Sequence, residues 1–115
     1  AKVEWVNYAG LPDHADHSLV QKYMGGRASG ILSFGVKGGF EAGGRFQDAL
    51  KLITRLVNIG DAKSLACHPA STTHRQLSPA ELAKAGVSPD MVRLSIGIEH
   101  IDDIIEDLEQ ALAAV

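Results

Sequence analysis

The sequence is short of cysteine and of long apolar runs. Cys67 is its one cysteine, so no disulfide can form within the chain, which fits a reducing compartment. No apolar run approaches the roughly 18 residues that a membrane-spanning helix needs. No basic segment followed by an apolar one opens the chain, as it would in a secretory signal. We therefore expect a cytoplasmic protein with no membrane partner.

Basic residues and aromatic residues are also few. Lys and Arg number 11 against 14 Asp and Glu, which gives a formal net charge of −3, and aromatic residues make up 5%. Nucleic-acid binding calls for a basic stripe, often interleaved with aromatic residues, so no nucleic-acid partner is expected. Six acids and no base follow Arg93. This run is typical of a solvated helix face, and we predict that the acids face water.

What the chain does have is enough apolar sequence for one modest core. Its 115 residues are 45% hydrophobic and 22% charged, as in ordinary globular domains. The chain opens without an initiator Met, directly in a strand-like segment at 3–6. We therefore expect it to be a piece of a longer protein.

The spacing of apolar residues predicts a mixture of strands and helices. Strands are expected at 3–6, 31–36 and 93–98, and a strand and turn within 57–65. Helices are expected from Asp13 or Asp16 to about 24, at 41–56 and at 101–112, with a short one opened by a capping box of Ser78 and Glu81. The predicted core faces of the helices comprise Leu19, Val20 and Tyr23; Phe46, Ala49, Leu50, Ile53, Leu56 and Val57; and Ile101, Ile104, Ile105, Leu108 and Leu112. In the second helix, Gln47, Lys51 and Arg55 are predicted to face water.

Two long amphipathic helices need one sheet to cover their apolar faces. The predicted fold class is therefore α+β, a two-layer sandwich with a small, mostly antiparallel sheet and helices on one face. The glycine-rich loop at 37–44 lacks the spacing of a nucleotide-binding fingerprint. It favours tight packing between a strand and the helix that follows.

The strand at 93–98 carries the strongest functional signal. Its apolar residues alternate with Arg93, Ser95 and Gly97, so one face can join the core while the other presents a guanidinium beside small residues. Arg suits planar anions because its fork makes two parallel hydrogen bonds to a carboxylate. We expect room for a ligand there. The alternative, an Arg93 paired with an acid of its own domain, stays open.

Cys67, His68 and His74 raise the question of a metal or a nucleophile. A structural zinc site needs four ligands in paired short spacings, and no fourth ligand is apparent. Adjacent residues of an extended chain point to opposite sides, which disfavours a Cys67–His68 nucleophile pair. We predict neither a metal site nor a catalytic residue.

Four motifs together resemble the Cys/Met-metabolism family of pyridoxal-phosphate enzymes. They are Ser-Phe-Gly-Val-Lys-Gly-Gly, Asn-Ile-Gly-Asp-Ala-Lys-Ser-Leu, His-Pro-Ala-Ser-Thr-Thr-His and Arg-Leu-Ser-Ile-Gly-Ile-Glu. The resemblance covers essentially all 115 residues and implies the C-terminal domain of a fold-type-I enzyme. It implies that Arg93 binds the α-carboxylate of an amino-acid substrate. It further implies that Asn58 lies beside that carboxylate and that Thr73 orients Arg93.

Within the family, the motifs are most similar to those of the O-acetylhomoserine sulfhydrylases. These enzymes replace the acetate of O-acetylhomoserine with sulfide, giving homocysteine for methionine biosynthesis, and the resemblance implies a homotetrameric parent. Pyridoxal 5′-phosphate would form its Schiff base with a Lys in a Ser-x-Thr-Lys context, which this chain lacks. We therefore expect residues 1–115 to be the substrate-carboxylate-binding domain, with the cofactor-binding domain N-terminal to it. Alone, the chain is expected to bind no cofactor and to be inactive.

Two different functions remain open from the sequence. One is that of a methionine or cystathionine lyase, or a cystathionine synthase, of the same family. The second is that of a stand-alone α+β module that senses amino acids.

Overall fold

The computed structural model describes residues 2–115, which form one five-stranded sheet and four α-helices. The strands are β1 Val3–Asn7, β2 Ile31–Val36, β3 Thr54–Arg55, β4 Leu65–Cys67 and β5 Met91–Ser95. The helices are α1 His17–Met24, α2 Gly39–Ala49, α3 Pro79–Lys84 and α4 Ile101–Ala113, with a short 3-10 turn at Pro69–Ser71. None of these helices is long and apolar enough to cross a membrane.

The sheet has the strand order β1-β2-β5-β4-β3. Its neighbours run antiparallel except for β3 and β4, which are parallel. The predicted α+β class and the mostly antiparallel sheet are therefore confirmed. β5 lies in the middle of the sheet, so the strand that carries Arg93 is held by hydrogen bonds on both sides.

Helices α2 and α4 pack on one face of the sheet and enclose the main core. Phe34 of β2 and Phe46 of α2 meet edge to face, with ring centroids 5.4 Å apart. Val92 and Leu94 of β5 are buried in the same cluster, as is Ile104 of α4. Since side chains alternate along a strand, Arg93 must lie on the opposite face of the sheet.

Helix α3 begins as its sequence predicts. The Ser78 hydroxyl accepts a hydrogen bond from the Glu81 backbone N–H, and the Glu81 carboxylate accepts one from Ser78 N–H at 2.8 Å. This capping box satisfies donors that the first turn of a helix leaves free. Leu82 of α3 packs with Ala70 and Val87 in a second, smaller apolar cluster.

Several sequence-based boundaries and faces were wrong. Helix α2 ends at Ala49 instead of 56, and Leu56 and Val57 are exposed, although Ile53 does reach the core. Strand β5 ends at Ser95, which leaves Ile98 86% exposed.

The predicted helix faces also need correction. On α1 only Val20 is buried, and Leu19 and Tyr23 are exposed; on α4, Ile101 and Ile105 are exposed. Gln47 and Asp107, both expected to face water, are buried. Asp107 accepts three hydrogen bonds from backbone N–H groups of a distant segment and Gln47 accepts one, and these bonds offset part of the cost of burying polar side chains.

Candidate functional site

A row of side chains crosses the face of the sheet that lies opposite α2 and α4. The strand register places Asn7 of β1 opposite Ser33 of β2, and Ser33 opposite Arg93 of β5. Cys67 of β4 is the partner of Arg93 on its other side. Four neighbouring strands thus bring a thiol, a guanidinium, a hydroxyl and an amide into one line.

A cavity of about 510 Å³ opens over part of this row. Arg93, Ser33, Asn7 and His74 line it, together with mainly apolar residues such as Met91. Among the described residues that line it there is no Asp or Glu, and Arg93 is the one formally charged side chain. The cavity therefore favours a ligand that carries negative charge.

Arg93 itself is half-buried and makes a hydrogen bond to a neutral group. Its Nη2 donates to the backbone carbonyl of Asn58 at 3.3 Å. Within residues 2–115 the side-chain ion pairs are Arg55–Asp48 and His100–Asp102, and neither involves Arg93. The interpretation of Arg93 as the partner of an acid of its own domain is therefore wrong.

The segment that holds the Asn58 carbonyl is fastened to the end of β5. Gly60 N–H donates to the Ser95 hydroxyl at 3.1 Å, and Ile98 N–H donates to the Ala62 carbonyl at 3.0 Å. A Cβ on Gly97 would lie 2.6 Å from the carbonyl carbon of Lys63, so the two segments touch at the backbone. The room for a ligand predicted beside Ser95 and Gly97 is thus filled by residues 58–63, and the open space lies on the other side of Arg93.

Glu99 links the end of the 58–63 segment to the residues that follow β5. Its carboxylate accepts hydrogen bonds from Ser64 N–H at 2.6 Å and from the Ser64 hydroxyl at 2.7 Å. Gly97 N–H donates to that same hydroxyl at 2.9 Å. The backbone hydrogen bond from Ser64 lowers the pKa of Glu99, which therefore stays ionised near neutral pH.

The loop that follows β4 supplies the other wall of the cavity. His74 N–H donates to the Pro69 carbonyl at 2.9 Å, and the Thr73 hydroxyl lies 2.7 Å from His74 Nδ1. Within residues 2–115, the hydrogen bonds of Arg93 do not include one to Thr73. An orienting role for Thr73 toward Arg93 therefore stays a prediction.

Cys67 and His68, which the sequence raises as possible metal ligands, have internal partners. The Cys67 thiol lies 3.3 Å from the Thr72 hydroxyl. His68 is fully buried, with Nδ1 2.8 Å from the Ser71 hydroxyl and Nε2 2.8 Å from the Pro89 carbonyl. Over residues 2–115, no three His, Cys, Asp or Glu side chains are grouped as a metal would require. His68 instead joins the 3-10 turn to the segment before β5, and Cys67 contacts the residue that follows that turn.

Ser33 and Asn7 belong to this face but are not among the residues that the sequence pattern predicts for the site. A hydroxyl within the otherwise apolar β2 was the signal available for Ser33.

Nearby, Trp5 Nε1 donates to Asp90 Oδ2 at 2.8 Å, and this bond passes directly over Gly35. Gly35 has no side chain because one would collide with both partners.

Comparisons with known proteins agree on one family. The family described as Cys/Met metabolism PLP-dependent enzyme matches residues 1–113. O-acetyl-L-homoserine sulfhydrylase 1 of Thermus thermophilus is 58% identical over 112 residues, which are 97% of this chain and 27% of that protein. Homocysteine synthase of Schizosaccharomyces pombe is 50% identical over 111 residues, which are 96% of this chain and 26% of that protein.

Solved structures match the fold closely. A protein of Campylobacter jejuni named as an O-acetylhomoserine (thiol)-lyase, whose structure contains a pyridoxyl-lysine phosphate, has a TM-score of 0.87 and 48% identity. The match covers 97% of this chain and 27% of that one. A cystathionine gamma-lyase of Micromonospora echinospora has a TM-score of 0.87 and 39% identity, covering 99% of this chain and 29% of that one. This chain thus spans about a quarter of the length of its relatives.

Proposed function

Because this chain belongs to the Cys/Met-metabolism family of pyridoxal-phosphate-dependent enzymes, we propose that its Arg93 cavity binds the α-carboxylate of an amino-acid substrate. The proposal concerns a longer enzyme, since the family's relatives are about four times the length of this chain. Residues 1–115 would be its C-terminal substrate-carboxylate-binding domain.

One observation carries this proposal. Arg93 is half-buried on a cavity whose described lining has no acid, and its hydrogen bond goes to a carbonyl that carries no net charge. A guanidinium in such a place has donors to spare, because it carries five N–H groups in a fixed fork. An incoming carboxylate would accept two of them in parallel and supply the missing negative charge.

Asn58 and Thr73 have supporting parts in the proposal. Asn58 would lie beside the substrate carboxylate, and its backbone carbonyl accepts the hydrogen bond from Arg93 that helps to position the guanidinium. Thr73 belongs to the same wall as His74, which lines the cavity. Both residues would adjust the geometry of the carboxylate site without taking part in bond making.

The lysines of this chain do not fit pyridoxal phosphate. None of the six, Lys2, Lys22, Lys37, Lys51, Lys63 and Lys84, lines the Arg93 cavity. A Schiff-base lysine has to sit beside the substrate, inside a site that excludes water. The cofactor would therefore be held by a domain N-terminal to this chain, and no step through it follows from these residues.

The reaction that we propose for the longer enzyme is that of an O-acetylhomoserine sulfhydrylase. Sulfide adds to the γ-carbon as the C–O bond to acetate breaks, so the products are homocysteine and acetate. The support is the 58% identity to a sulfhydrylase across nearly the whole chain, compared with 39% to a cystathionine gamma-lyase of the same fold. A methionine lyase, a cystathionine synthase and a stand-alone amino-acid sensor are less well supported. Family membership over 113 residues supports an enzyme over a sensor.

The oligomeric state and the localisation of the longer enzyme are also proposals. The resemblance to the family implies a homotetramer. Cytoplasmic localisation is supported by Cys67, a buried free thiol that needs no oxidising compartment.

To test this reaction, the purified enzyme that contains this sequence is incubated with O-acetylhomoserine and sulfide. A parallel incubation contains cystathionine alone. We expect homocysteine and acetate in equal amounts from the first mixture. Cleavage of cystathionine without homocysteine formation from O-acetylhomoserine would overturn the proposed reaction and favour a lyase.

A further inference from the structure

Ser33 stands directly beside Arg93 on the cavity face. The two residues are register partners on the antiparallel strands β2 and β5. Side chains directly opposite each other in such a pair have Cβ atoms about 4.5–5.5 Å apart. Both residues line the cavity of about 510 Å³. Because both side chains face the same cavity, a carboxylate bound there can contact the guanidinium and the Ser33 hydroxyl together.

The Ser33 hydroxyl is available for a ligand. Among the hydrogen bonds of residues 2–115, none involves its Oγ. Ser29, the other serine of the cavity, is not a register partner of Arg93, and its hydroxyl accepts a hydrogen bond from Ile31 N–H at 3.3 Å. On the far side of Arg93, Cys67 is buried, and its thiol lies against Thr72. Ser33 is thus the neighbour of Arg93 that offers an uncommitted donor to the cavity.

A carboxylate bound by Arg93 would still have acceptor capacity. Its two oxygens offer about four lone-pair sites, and a parallel pair of guanidinium N–H groups occupies two of them. A hydroxyl at the side can donate to a third site, and hydrogen bonds from O–H to a carboxylate are short and strong.

We propose that Ser33 is a second carboxylate-binding residue of the substrate site, whose hydroxyl donates a hydrogen bond to one oxygen of the carboxylate that Arg93 binds. The proposal rests on the proposed function of Arg93 and extends it to β2. It concerns binding and orientation, and no bond of the substrate is made or broken by Ser33.

The test uses the enzyme that contains this chain, with Ser33→Ala, Ser33→Thr and the matched control Ser18→Ala, an exposed serine of α1 that does not line the cavity. Competitive inhibition is measured with norleucine, which has the α-carboxylate, and with pentylamine, which is norleucine without it. We expect Ser33→Ala to raise the inhibition constant of norleucine, and the KM of the substrate, by roughly ten- to a hundredfold. The constant for pentylamine should not change. Ser33→Thr, which keeps a hydroxyl, should restore most of the affinity, and Ser18→Ala should behave as wild type.

Two results would overturn the proposal. If Ser33→Ala raises the constants of both inhibitors equally, the residue acts through structure alone; if it changes neither, the hydroxyl makes no contact. Arg93→Ala in the same panel separates this failure from that of the proposed function. If Arg93→Ala loses affinity for norleucine and Ser33→Ala does not, the role of Ser33 is refuted and the carboxylate site at Arg93 is supported. If Arg93→Ala binds norleucine as tightly as the wild type does, the proposed carboxylate site at Arg93 is refuted.

Discussion

At the scale of single residues, Asp107 shows how a carboxylate is kept charged inside the protein. It is 5% exposed, and it accepts backbone hydrogen bonds from Lys51 at 2.8 Å, Leu52 at 3.0 Å and Ile53 at 2.8 Å. Burial by itself would raise the pKa of Asp107. The hydrogen bonds from these donors and from the Gln110 amide lower it by more than burial raises it, so the pKa lies below its ordinary value. The side chain thereby fastens the chain after α2 to helix α4.

We expect Asp107→Asn to destabilise the protein by about 1–3 kcal/mol at neutral pH, because an amide cannot satisfy three converging N–H donors. The folded-state pKa is below the ordinary value of 3.8, so the stabilisation is complete above that value. It is lost as pH falls through the folded-state pKa. Chemical denaturation of wild type and variant should therefore give a gap in unfolding free energy that narrows as pH falls below about 4.

Asp103→Asn is the matched control, since Asp103 lies on the same helix but is exposed. It should change stability by no more than about 0.5 kcal/mol. An Asp107→Asn gap that stays the same from about pH 7 to about pH 3 would mean that the charge of Asp107 contributes nothing.

These residues also mark how far a sequence can predict a site. Arg93 could be predicted because its role follows from its own chemistry and from the alternation along β5. Asp107 and Gln47 were predicted on the wrong side of their helices, because periodicity assigns any polar residue to solvent. Their partners are backbone N–H groups on distant segments; that of Gln47 is His68 N–H, 2.8 Å from its Oε1. The residues near Asp107 and Gln47 in the sequence do not indicate these distant partners.

At the scale of elements, helix α2 depends on two adjacent glycines with opposite surroundings. A Cβ on Gly43 would lie 2.5 Å from Nε2 of the buried His68. A Cβ on Gly44 would meet no atom within 4 Å. The backbone of α2 therefore lies against the His68 ring at Gly43 and is open at Gly44.

The two glycines should therefore respond to alanine with opposite signs. Gly44→Ala should stabilise the protein by roughly 0.5–1 kcal/mol, the usual gain from replacing glycine within a helix. Gly43→Ala should destabilise it by about 1–3 kcal/mol, because it displaces a hydrogen-bonded ring from a packed site. Thermal unfolding of the two variants measures both effects. The same sign for both would contradict the packing of α2 against His68.

Element boundaries were predicted less well than element positions. The apolar spacing continues from Phe46 through Leu50 to Ile53, so it indicates a helix beyond Ala49. The chain instead leaves the helix at Leu50 and turns its N–H groups toward Asp107. Strand β5 similarly stops at Ser95 because residues 58–63 cross its end. In both cases a tertiary contact overrides a continuing local pattern.

At the scale of the whole molecule, the fold was predictable because local signals agreed with one another. Two amphipathic helices and several short apolar strands admit few arrangements besides a two-layer sandwich. The sheet order and the pairing of Ser33 with Arg93 could not be predicted, because they depend on which strands meet across long stretches of chain.

This chain alone should bind no pyridoxal phosphate and should have no sulfhydrylase activity, because its lysines are exposed and lie outside the Arg93 cavity. Incubation with the cofactor, borohydride reduction and peptide mass analysis would detect any Schiff base. We expect at most scattered low-level modification. A stable adduct on one specific lysine would contradict this expectation.

The central claim is that Arg93 binds the substrate carboxylate, and it is tested most directly by measuring kcat/KM and unfolding free energy on the same Arg93→Ala enzyme. We predict a loss of roughly thirty- to several-thousandfold in kcat/KM. The unfolding free energy should change by less than about 1 kcal/mol. Arg93→Lys should recover only part of the activity, because it keeps the charge but loses the fork. Arg55→Ala, which removes an exposed partner of Asp48, should leave kcat/KM unchanged. An Arg93→Ala enzyme that is clearly less stable yet retains wild-type kcat/KM per folded molecule would show that Arg93 is a packing residue.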